Sequence, residues 1–251
     1  MPAAQAYDSG HWDAVLASWR ETPGTCLLRA YSDAVNRRLL ERWLPPRCGR
    51  VLKTDVFDEA VAEGLAPFLE ARAEAVTAID ASTEAVAAAR RRRPELDARV
   101  VDVRALPFED ASFDVVVSTS TLDHFRSRAE VETALRELCR VLVRGGLAVV
   151  TLDNPWNPLV ALRNALPFRP LERTGLVPYY VGATLGPRHL RAALEEAGFA
   201  VEELAGVMHV PRVAARVLRP TLRLLLAGER LARSPTRFLT AQFVAARARR
   251  P

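Results

Sequence analysis

The sequence has few cysteines and no long apolar run. Its three cysteines, Cys26, Cys48 and Cys139, are odd in number and widely spaced, which speaks against a disulfide framework or a clustered metal site. They favour a reducing compartment. No apolar stretch reaches the roughly 18 residues that a membrane-spanning helix needs. Residues 1–10 lack the basic start and apolar core of a secretory signal, so we expect a cytoplasmic location.

The sequence also has no linker that would divide it. No stretch rich in proline, glycine and serine separates two halves of the 251 residues, and the hydrophobic content of 49% supports one substantial core. We therefore expect a single domain with additions. Its predicted parts are a helical cap (1–44), a core (45–152), an insertion or lid (153–187) and a C-terminal section (188–251).

Acidic residues are scarce at the C-terminal end. Residues 211–251 contain ten arginines and one acid, Glu229, which gives this segment a net charge of +9. Because the whole chain carries +5, residues 1–210 carry −4. Such a segment can meet anionic lipid, nucleic acid or an acidic partner, or can simply be a solvated face. We expect no nucleic-acid partner, and contact with a membrane surface stays open.

What is present, from Val51 to Leu152, is an alternation of short apolar runs and helix-like segments. This rhythm is typical of an open parallel α/β sheet whose strand ends line a ligand crevice. We predict a Rossmann-like, seven-stranded, mainly parallel sheet with helices on both faces and an antiparallel last hairpin. The predicted strands are Arg50–Lys53, Ala75–Ile79, Arg99–Val101, Phe113–Ser118, Leu147–Leu152, Phe199–Met208 and Arg237–Arg247. The predicted helices are Ala60–Ala73 (which Pro67 can kink or split), Thr83–Arg92, Glu130–Val143 (ended by Gly145 and Gly146), Pro158–Ala165, Arg188–Ala197 and Pro211–Arg233 (interrupted at Pro220).

Two acids stand at the ends of successive predicted strands. Asp80 ends the second strand, where a carboxylate can accept hydrogen bonds from the two hydroxyls of a ribose. Asp102 ends the third strand and, with the backbone amide of Val103, can hold an adenine. The alternative for Asp102 is a turn residue that caps the following chain. Together the two acids favour a nucleoside site more than either does alone.

The sequence resembles a known family at this point. The runs AVTAIDAS, VVDVRALPFEDASFDVVVSTSTLDHF and ALRELCRVLVRGGLAVVTL are similar to class I S-adenosylmethionine-dependent methyltransferases, in particular the type-11 group, over about residues 45–152. The resemblance implies that Asp80 binds the cofactor ribose and that Asp102 and Val103 bind adenine. It also implies that Ser118, Thr119 and Ser120 pass under the methionine moiety and that residues 122–125 flank the transferred methyl.

The first loop departs from this family. The family has an acid on the first strand followed by G-x-G-x-G, whereas this sequence has Lys53 and then Asp55-Val56-Phe57-Asp58-Glu59. Glycine allows close backbone approach and positive φ, which Phe57 and Glu59 do not supply. We hypothesise that Asp55 or Asp58 holds the amino group of the cofactor and that Lys53 holds a carboxylate.

Candidate residues for the acceptor side come from several segments. His124 is the best candidate for a general base, because its pKa lies near neutrality; the alternative is a structural, hydrogen-bonded histidine. Its neighbour Asp123 is expected to point elsewhere if the segment is extended. Tyr31, Tyr179 and Tyr180 are candidate walls or lid residues of the acceptor pocket, with packing as the alternative. His189 and His209 are further residues that can reach the pocket.

The function that these features favour is methyl transfer from S-adenosylmethionine to a small organic or lipid-like acceptor, without a metal. Two alternatives remain open: a degenerate member of the family that binds another ligand, and a protein that binds a partner or an anionic surface through its arginine-rich end. A nicotinamide oxidoreductase ranks lower, because it too would need glycines in the first loop. The sequence gives neither the acceptor nor the oligomeric state.

Overall fold

A seven-stranded sheet organises the structure, a computed structural model that describes residues 12–13, 15–16, 25–166, 180–211 and 221–251. The strands are β1 (Cys48–Lys53), β2 (Ala73–Asp80), β3 (Asp97–Val100), β4 (Phe113–Thr119), β5 (Leu142–Asp153), β6 (Ala200–Val207) and β7 (Phe243–Arg249). Their order is β3-β2-β1-β4-β5-β7-β6. The first five are parallel, whereas β7 runs antiparallel to both β5 and β6. This confirms the predicted Rossmann-like fold and its antiparallel last hairpin.

Nine α-helices lie within the described residues. They are α1 (Thr25–Trp43), α2 (Phe57–Val61), α3 (Ala66–Glu70), α4 (Thr83–Arg92), α5 (Arg128–Val141), α6 (Pro158–Ala165), α7 (Pro187–Glu196), α8 (Leu222–Gly228) and α9 (Arg237–Thr240). Short 3-10 turns cover Leu122–His124 and Glu229–Arg233. In this part of the chain, no helix is both long and apolar enough to cross a bilayer.

The sheet is buried on both faces. Successive residues of a strand point to opposite sides, so Val51 joins one apolar cluster and Leu52 the other. The first cluster includes residues of α1 and α4, and the second includes residues of α5 and α7. This double burial explains why the central strands are continuous apolar runs. It also leaves the strand ends as the place where polar groups meet.

Local signals in the sequence explain why α4 and α5 start where they do. Ser82 caps α4 by accepting a hydrogen bond from Ala85 N (2.9 Å), as expected for this position. Ser127 and Glu130 form a reciprocal capping box at the start of α5. The caps fix the directions of the two helices that follow β2 and precede β5.

The segment after β1 differs from its prediction. The expected helix Ala60–Ala73 is two short helices, α2 and α3, separated near Gly64. Gly64, between the two helices, has a φ of 65°, a left-handed conformation that glycine adopts readily, and Pro67 lies in the first turn of α3. The helical start of this region at Phe57 lies inside the loop that lacks glycines.

The two glycines after α5 do not end that helix, so this prediction was wrong. The helix ends at Val141, and β5 begins directly at Leu142, which pairs with Phe113. Gly145 and Gly146 therefore lie inside β5. Gly145 takes a φ of 76° and donates a hydrogen bond to Arg250 O (2.7 Å). The positive φ, which glycine adopts readily, permits an irregularity in the strand at this point.

The last strand was predicted too early. Residues Arg237–Thr240 form α9, and the strand itself is Phe243–Arg249. Gln242 separates the two, and its side-chain amide donates to Met208 O (3.2 Å) at the end of β6. Two predicted helices are confirmed within one residue, Pro158–Ala165 and Arg188–Ala197. Of the predicted helix Pro211–Arg233, residues 212–220 lie outside the described residues.

Candidate functional site at the carboxyl ends of the parallel strands

The carboxyl ends of β1 and β4 meet where the strand order reverses, which is the usual ligand position in open α/β sheets. The Thr54 hydroxyl after β1 donates to Ser118 Oγ (2.9 Å) in β4 and lies 2.8 Å from the hydroxyl oxygen of Thr121. Ser118 is fully buried and Thr119 is 8% exposed. The structure thus brings the predicted residues of the fourth strand end together with the first loop.

Asp80 connects the first and second strand ends. Its carboxylate accepts hydrogen bonds from Val56 N (3.0 Å) in the first loop and from Ser82 N (2.9 Å) before α4. Burial raises the pKa of Asp80 above its usual value, and the two amide bonds oppose that rise. A carboxylate has about four acceptor positions, so two remain for the hydroxyls of a ligand.

Lys53 is fully buried behind the first loop. Its ammonium donates to Asp55 O (2.6 Å) and to Glu59 Oε2 (2.9 Å), and it lies 3.2 Å from Asp55 Oδ2. Burial alone lowers the pKa of Lys53, but the neighbouring carboxylates, led by Asp55 and Glu59, outweigh it and raise the pKa. The lysine therefore stays charged, and the carboxylates that it holds belong to its own loop.

Glu59 is a residue of this loop whose structural role sequence reasoning missed. Its side chain is fully buried, and Oε1 accepts hydrogen bonds from Leu65 N and Ala66 N (both 2.9 Å) at the start of α3. A Cβ at Gly64 would collide with this carboxylate. The pair of Lys53 and Glu59 thus joins β1 to α3, and the turn α2 takes the place of a glycine-rich loop. Lysine followed six residues later by glutamate was the available signal.

Two buried carboxylate oxygens beside this loop accept no hydrogen bond from the described residues: Asp55 Oδ2, which has only the ion pair with Lys53 at 3.2 Å, and Asp33 Oδ1 on α1. Burial is the largest cause that raises the pKa of Asp55 to about 7, against the opposing charge of Lys53. Burial and then the charge of Asp58 raise the pKa of Asp33 to about 7 as well. Unsatisfied buried acceptors of this kind fit a cationic group, such as an ammonium or a sulfonium.

Asp102 lies in a turn just after β3. It accepts hydrogen bonds from Arg104 N (2.9 Å) and from the Arg104 guanidinium (2.6 Å), while its carbonyl accepts from Ala105 N (3.0 Å). Burial raises the pKa of Asp102, but the bonds from Arg104 together leave it below the usual value. This geometry has the form of the turn-capping alternative. Val103 is 6% exposed, and the adenine role of both residues stays a prediction.

The chain after β4 makes a tight turn into the 3-10 segment. Ser120 has a φ of 53°, rare for a residue with a side chain, and such strain often accompanies functional loops. Its backbone N–H donates to Thr151 O (3.1 Å), and its hydroxyl donates to Asp123 Oδ2 (3.1 Å). The strained turn thus positions the two residues that follow, Asp123 and His124.

His124 contacts three parts of the chain. Its Nδ1 lies 2.8 Å from Tyr180 O, its ring meets the Trp12 ring edge-on at 4.5 Å between centroids, and its Nε2 lies 3.8 Å from Asp123 Oδ1. Asp123 was expected to point elsewhere only if the segment were extended; the segment is a 3-10 turn, so that condition does not hold. Since a carbonyl only accepts, Nδ1 is the ring nitrogen that donates to Tyr180 O.

The segment that begins at Tyr180 pairs with the loop after β4. Gly182 N donates to Asp123 O (2.8 Å), and Ala183 N donates to Phe125 O (2.6 Å). A Cβ at Gly182 would collide with Phe125 O, so glycine permits this approach. The predicted lid residue Tyr180 is half-buried here, whereas Tyr179 lies outside the described residues.

The N-terminal residues reach the same edge. Asp13 Oδ1 accepts a hydrogen bond from the Ser82 hydroxyl (2.5 Å) beside Asp80, and its neighbour Trp12 packs on His124. The described part of the N-terminus therefore crosses from the second to the fourth strand end.

Three other predicted residues lie elsewhere. Tyr31 is fully buried in the core, with its hydroxyl bonded to Glu229, so it presents no surface to a ligand in this structure. His209 is buried and lies 2.7 Å from Thr240 Oγ1, whereas His189 is exposed on α7. Among the described residues, no cluster of three metal-ligating side chains occurs.

The chain is similar to known methyltransferases. Residues 59–150 match the family model of a methyltransferase domain. A probable S-adenosylmethionine-dependent methyltransferase of Mycobacterium tuberculosis is 31% identical over 171 residues, which cover 68% of this chain and 56% of that protein. A demethylmenaquinone methyltransferase of Renibacterium salmoninarum is 34% identical over 124 residues, covering 47% and 51%. The chain thus spans about half the length of these relatives.

Solved structures have the same fold. A S-adenosylmethionine-dependent methyltransferase from Mesorhizobium loti superposes with a TM-score of 0.60 at 19% identity, covering 88% of this chain and all of that one (100%). At this identity, the likeness concerns the fold and leaves the site to the residues described above.

Proposed function

Because the chain belongs to the class I S-adenosylmethionine-dependent methyltransferases, we propose that it transfers a methyl group from S-adenosylmethionine to a small organic or lipid-like acceptor. The observation that carries this proposal is Asp80, which spans the first two strand ends and keeps two acceptor positions for ribose hydroxyls. The buried acceptors of Asp55 and Asp33 add a place for positive charge at the methionine end.

We propose the following contacts with the cofactor. Asp80 accepts from the ribose, and Asp102 with Val103 borders the adenine. Ser118 and Thr119 form the floor under the methionine moiety, and Asp55 receives its amino group. Lys53 acts indirectly by holding Asp55 and Glu59 in place.

Methyl transfer from this cofactor requires the protein mainly to align the donor with the acceptor. The bound cofactor supplies a methyl group already activated by a positively charged sulfur. The protein holds donor and acceptor in line in a site closed to water by Trp12 and the segment from Tyr180. If the acceptor carries a proton that must leave, His124 Nε2 takes it, and the buried carboxylate of Asp123 stabilises the charged ring.

The name of one relative guides the choice of acceptor. That relative is a demethylmenaquinone methyltransferase. We therefore propose a lipid-like acceptor and would test demethylmenaquinone against a hydrophilic naphthol, with transfer of labelled methyl as readout. Replacement of His124 by Gln should lower kcat by about 10²–10⁴-fold without changing cofactor affinity, if it is the base. An unchanged kcat would leave His124 a structural role only.

Calorimetric titration tests the cofactor site directly. We expect micromolar binding of S-adenosylmethionine and S-adenosylhomocysteine and no binding of NAD. Asp80→Asn should weaken binding about 10–100-fold, because hydrogen bonds to a charged group contribute about 1.5–3 kcal/mol. Asp97→Asn, an exposed acid at the start of β3, is the matched control. No binding to the unaltered protein would favour a degenerate member of the family.

Asp55 has its own test. Because its pKa is about 7, its carboxylate becomes charged between pH 6 and pH 8, and affinity for the cofactor should rise over that interval. Asp55→Ala should bind more weakly at pH 8 and lose this pH dependence. If affinity and pH dependence are both unchanged, Asp55 is not part of the site.

A further inference from the structure

Exposed large apolar side chains gather in one region. Of eight such side chains in the described part of the chain, seven lie in the segments 156–166 and 222–240. They are Trp156 (39% exposed), Leu159 (51%), Leu162 (59%), Leu166 (46%), Leu224 (64%), Leu231 (42%) and Leu239 (52%). Single exposed apolar residues are ordinary on protein surfaces, but a cluster of seven marks an interaction site.

The two segments adjoin. Asn154 Nδ2 donates to Phe238 O (2.6 Å), Asn157 Nδ2 donates to Thr240 O (2.8 Å), and the rings of Trp156 and Phe238 meet edge-on at 6.5 Å between centroids. On α6, Leu159 and Leu162 are three residues apart and therefore share one face, and Leu166 follows at the end of the helix. α9 contacts the 3-10 turn Glu229–Arg233, which in turn contacts α8. The elements that carry the seven side chains thus adjoin one another in series.

This region is cationic as well as apolar. No acidic residue occurs between Asn154 and Leu166, and the only acid between 221 and 240 is Glu229, which accepts from Met208 N and His209 N and bonds Tyr31. The exposed arginines are Arg188, which lies over the Trp156 ring, and Arg223, Arg230 and Arg233. Among the residues that the structure describes, none of these four forms an ion pair.

A basic groove borders the region. It has a volume of about 410 Å³ and lies between α1, the edge strand β6 and the chain around residues 229–237. Arg38, Arg42, Arg233 and Arg237 line it together with apolar residues such as Val35 and Leu39. Two acids also line it, Glu203, which pairs with Arg42, and Glu229, so the four arginines leave an excess of positive charge for an anionic headgroup.

We propose that this leucine–arginine face, defined by the seven apolar side chains and four arginines above, docks on an anionic membrane surface. Apolar side chains that enter the headgroup region beside unpaired arginines are the two components of such binding. The face lies beside the strand ends, because α6 follows directly after β5. In addition, Asn164 Nδ2 donates to Thr184 Oγ1 (3.2 Å), and Thr184 belongs to the segment that pairs with the loop after β4. Docking would bring the crevice to the lipid surface. The proposal does not depend on methyl transfer.

Vesicle flotation tests it. The full chain should float with vesicles of phosphatidylcholine and phosphatidylglycerol and much less with phosphatidylcholine alone, and added salt should weaken binding. A variant with Leu159, Leu162 and Leu239 changed to Ser should lose at least about tenfold in affinity. Val100→Ser, at the opposite edge strand β3, is the matched control with 49% exposure.

The charge component has a second pair of variants. Changing Arg223, Arg230 and Arg233 to Gln should weaken binding to the anionic vesicles by at least about tenfold. The same change at Arg91 and Arg92, exposed on α4, should have little effect. Far-UV circular dichroism and cofactor titration on each variant separate loss of fold or loss of the proposed activity from loss of docking.

Three outcomes would overturn the proposal. The first is no binding to anionic vesicles, and the second is equal binding to both vesicle types. The third is a concentration-dependent dimer that the leucine variant abolishes, which would identify the face as a contact between copies of this chain.

Discussion

The ends of β1 and β4 lie side by side, but they are built from different chemistry. After β1, Lys53 and Glu59 hold the chain through buried charges. After β4, Ser118, Ser120 and Thr121 connect the chain through hydroxyls and a strained backbone. The first end therefore depends on charge balance, whereas the second depends on close backbone contacts. Each can be disturbed separately.

The largest expected effect is at the first end. Lys53→Met leaves Glu59 buried without its cation, which costs about 3–5 kcal/mol. For a chain of this size, we expect the Tm to fall by about 6–20 °C. The double variant Lys53→Met/Glu59→Gln removes both charges and should recover at least half of the loss. A Tm within experimental error of the unaltered protein would contradict the charge-based account of this loop.

Gly64 and Gly145 form a matched pair for the next effect. Both have positive φ (65° and 76°), so alanine costs about 1–2 kcal/mol at either position. Only at Gly64 does a Cβ also meet the Glu59 carboxylate; at Gly145 it meets nothing within 4 Å. We expect Gly64→Ala to be less stable than Gly145→Ala by about 1 kcal/mol or more in urea unfolding. Equal losses would mean that Glu59 has room to move.

The contrast between the two ends also explains what the sequence could predict. The apolar runs predicted the positions of the parallel strands. The position of Asp80 at a strand end could be predicted as well, because it depends only on the adjacent sequence of β2. The role of Glu59 was missed because it depends on contacts with Lys53 and with the backbone amides of α3, and these groups come together only in the folded chain. The end of α5 was misplaced because Leu142 pairs with Phe113, far away in sequence.

Contacts across the edge were the least predictable part. His124 meets Tyr180 across 56 residues of sequence and Trp12 across a still longer interval. Neither contact has a spacing that a one-dimensional pattern can record. The sequence could suggest His124 as a general base because of its residue type. The residues that contact its ring could be identified only from the structure.

At the second end, Gly182→Ala tests the close backbone approach. The added Cβ would collide with Phe125 O, so the bonds from Gly182 N and Ala183 N should weaken. Each such bond contributes about 0.5–1.5 kcal/mol, so hydrogen exchange at these amides should speed up by about two- to tenfold per bond. Exchange at Val149 in the central sheet is the internal control. Unchanged exchange at residues 182 and 183 would show that the segment tolerates a side chain.

The smallest expected effect returns to the charges near the first end. The pKa of Asp33 is raised to about 7, so the folded protein holds a proton that the unfolded chain releases from about pH 4 upward. Stability from protonated Asp33 is therefore lost as the pH rises through 7. Asp33→Asn should stabilise the cofactor-free protein at pH 8 relative to the unaltered chain, but not at pH 5. Solvent screens part of this effect, so we expect about 1 kcal/mol, or about 2–4 °C in Tm.

The control is Asp97→Asn, where hydrogen bonds from Arg99 hold the pKa below its usual value and the same change should not stabilise. If Asp33→Asn raises the Tm equally at both pH values, the ionisation of buried Asp33 is not the cause.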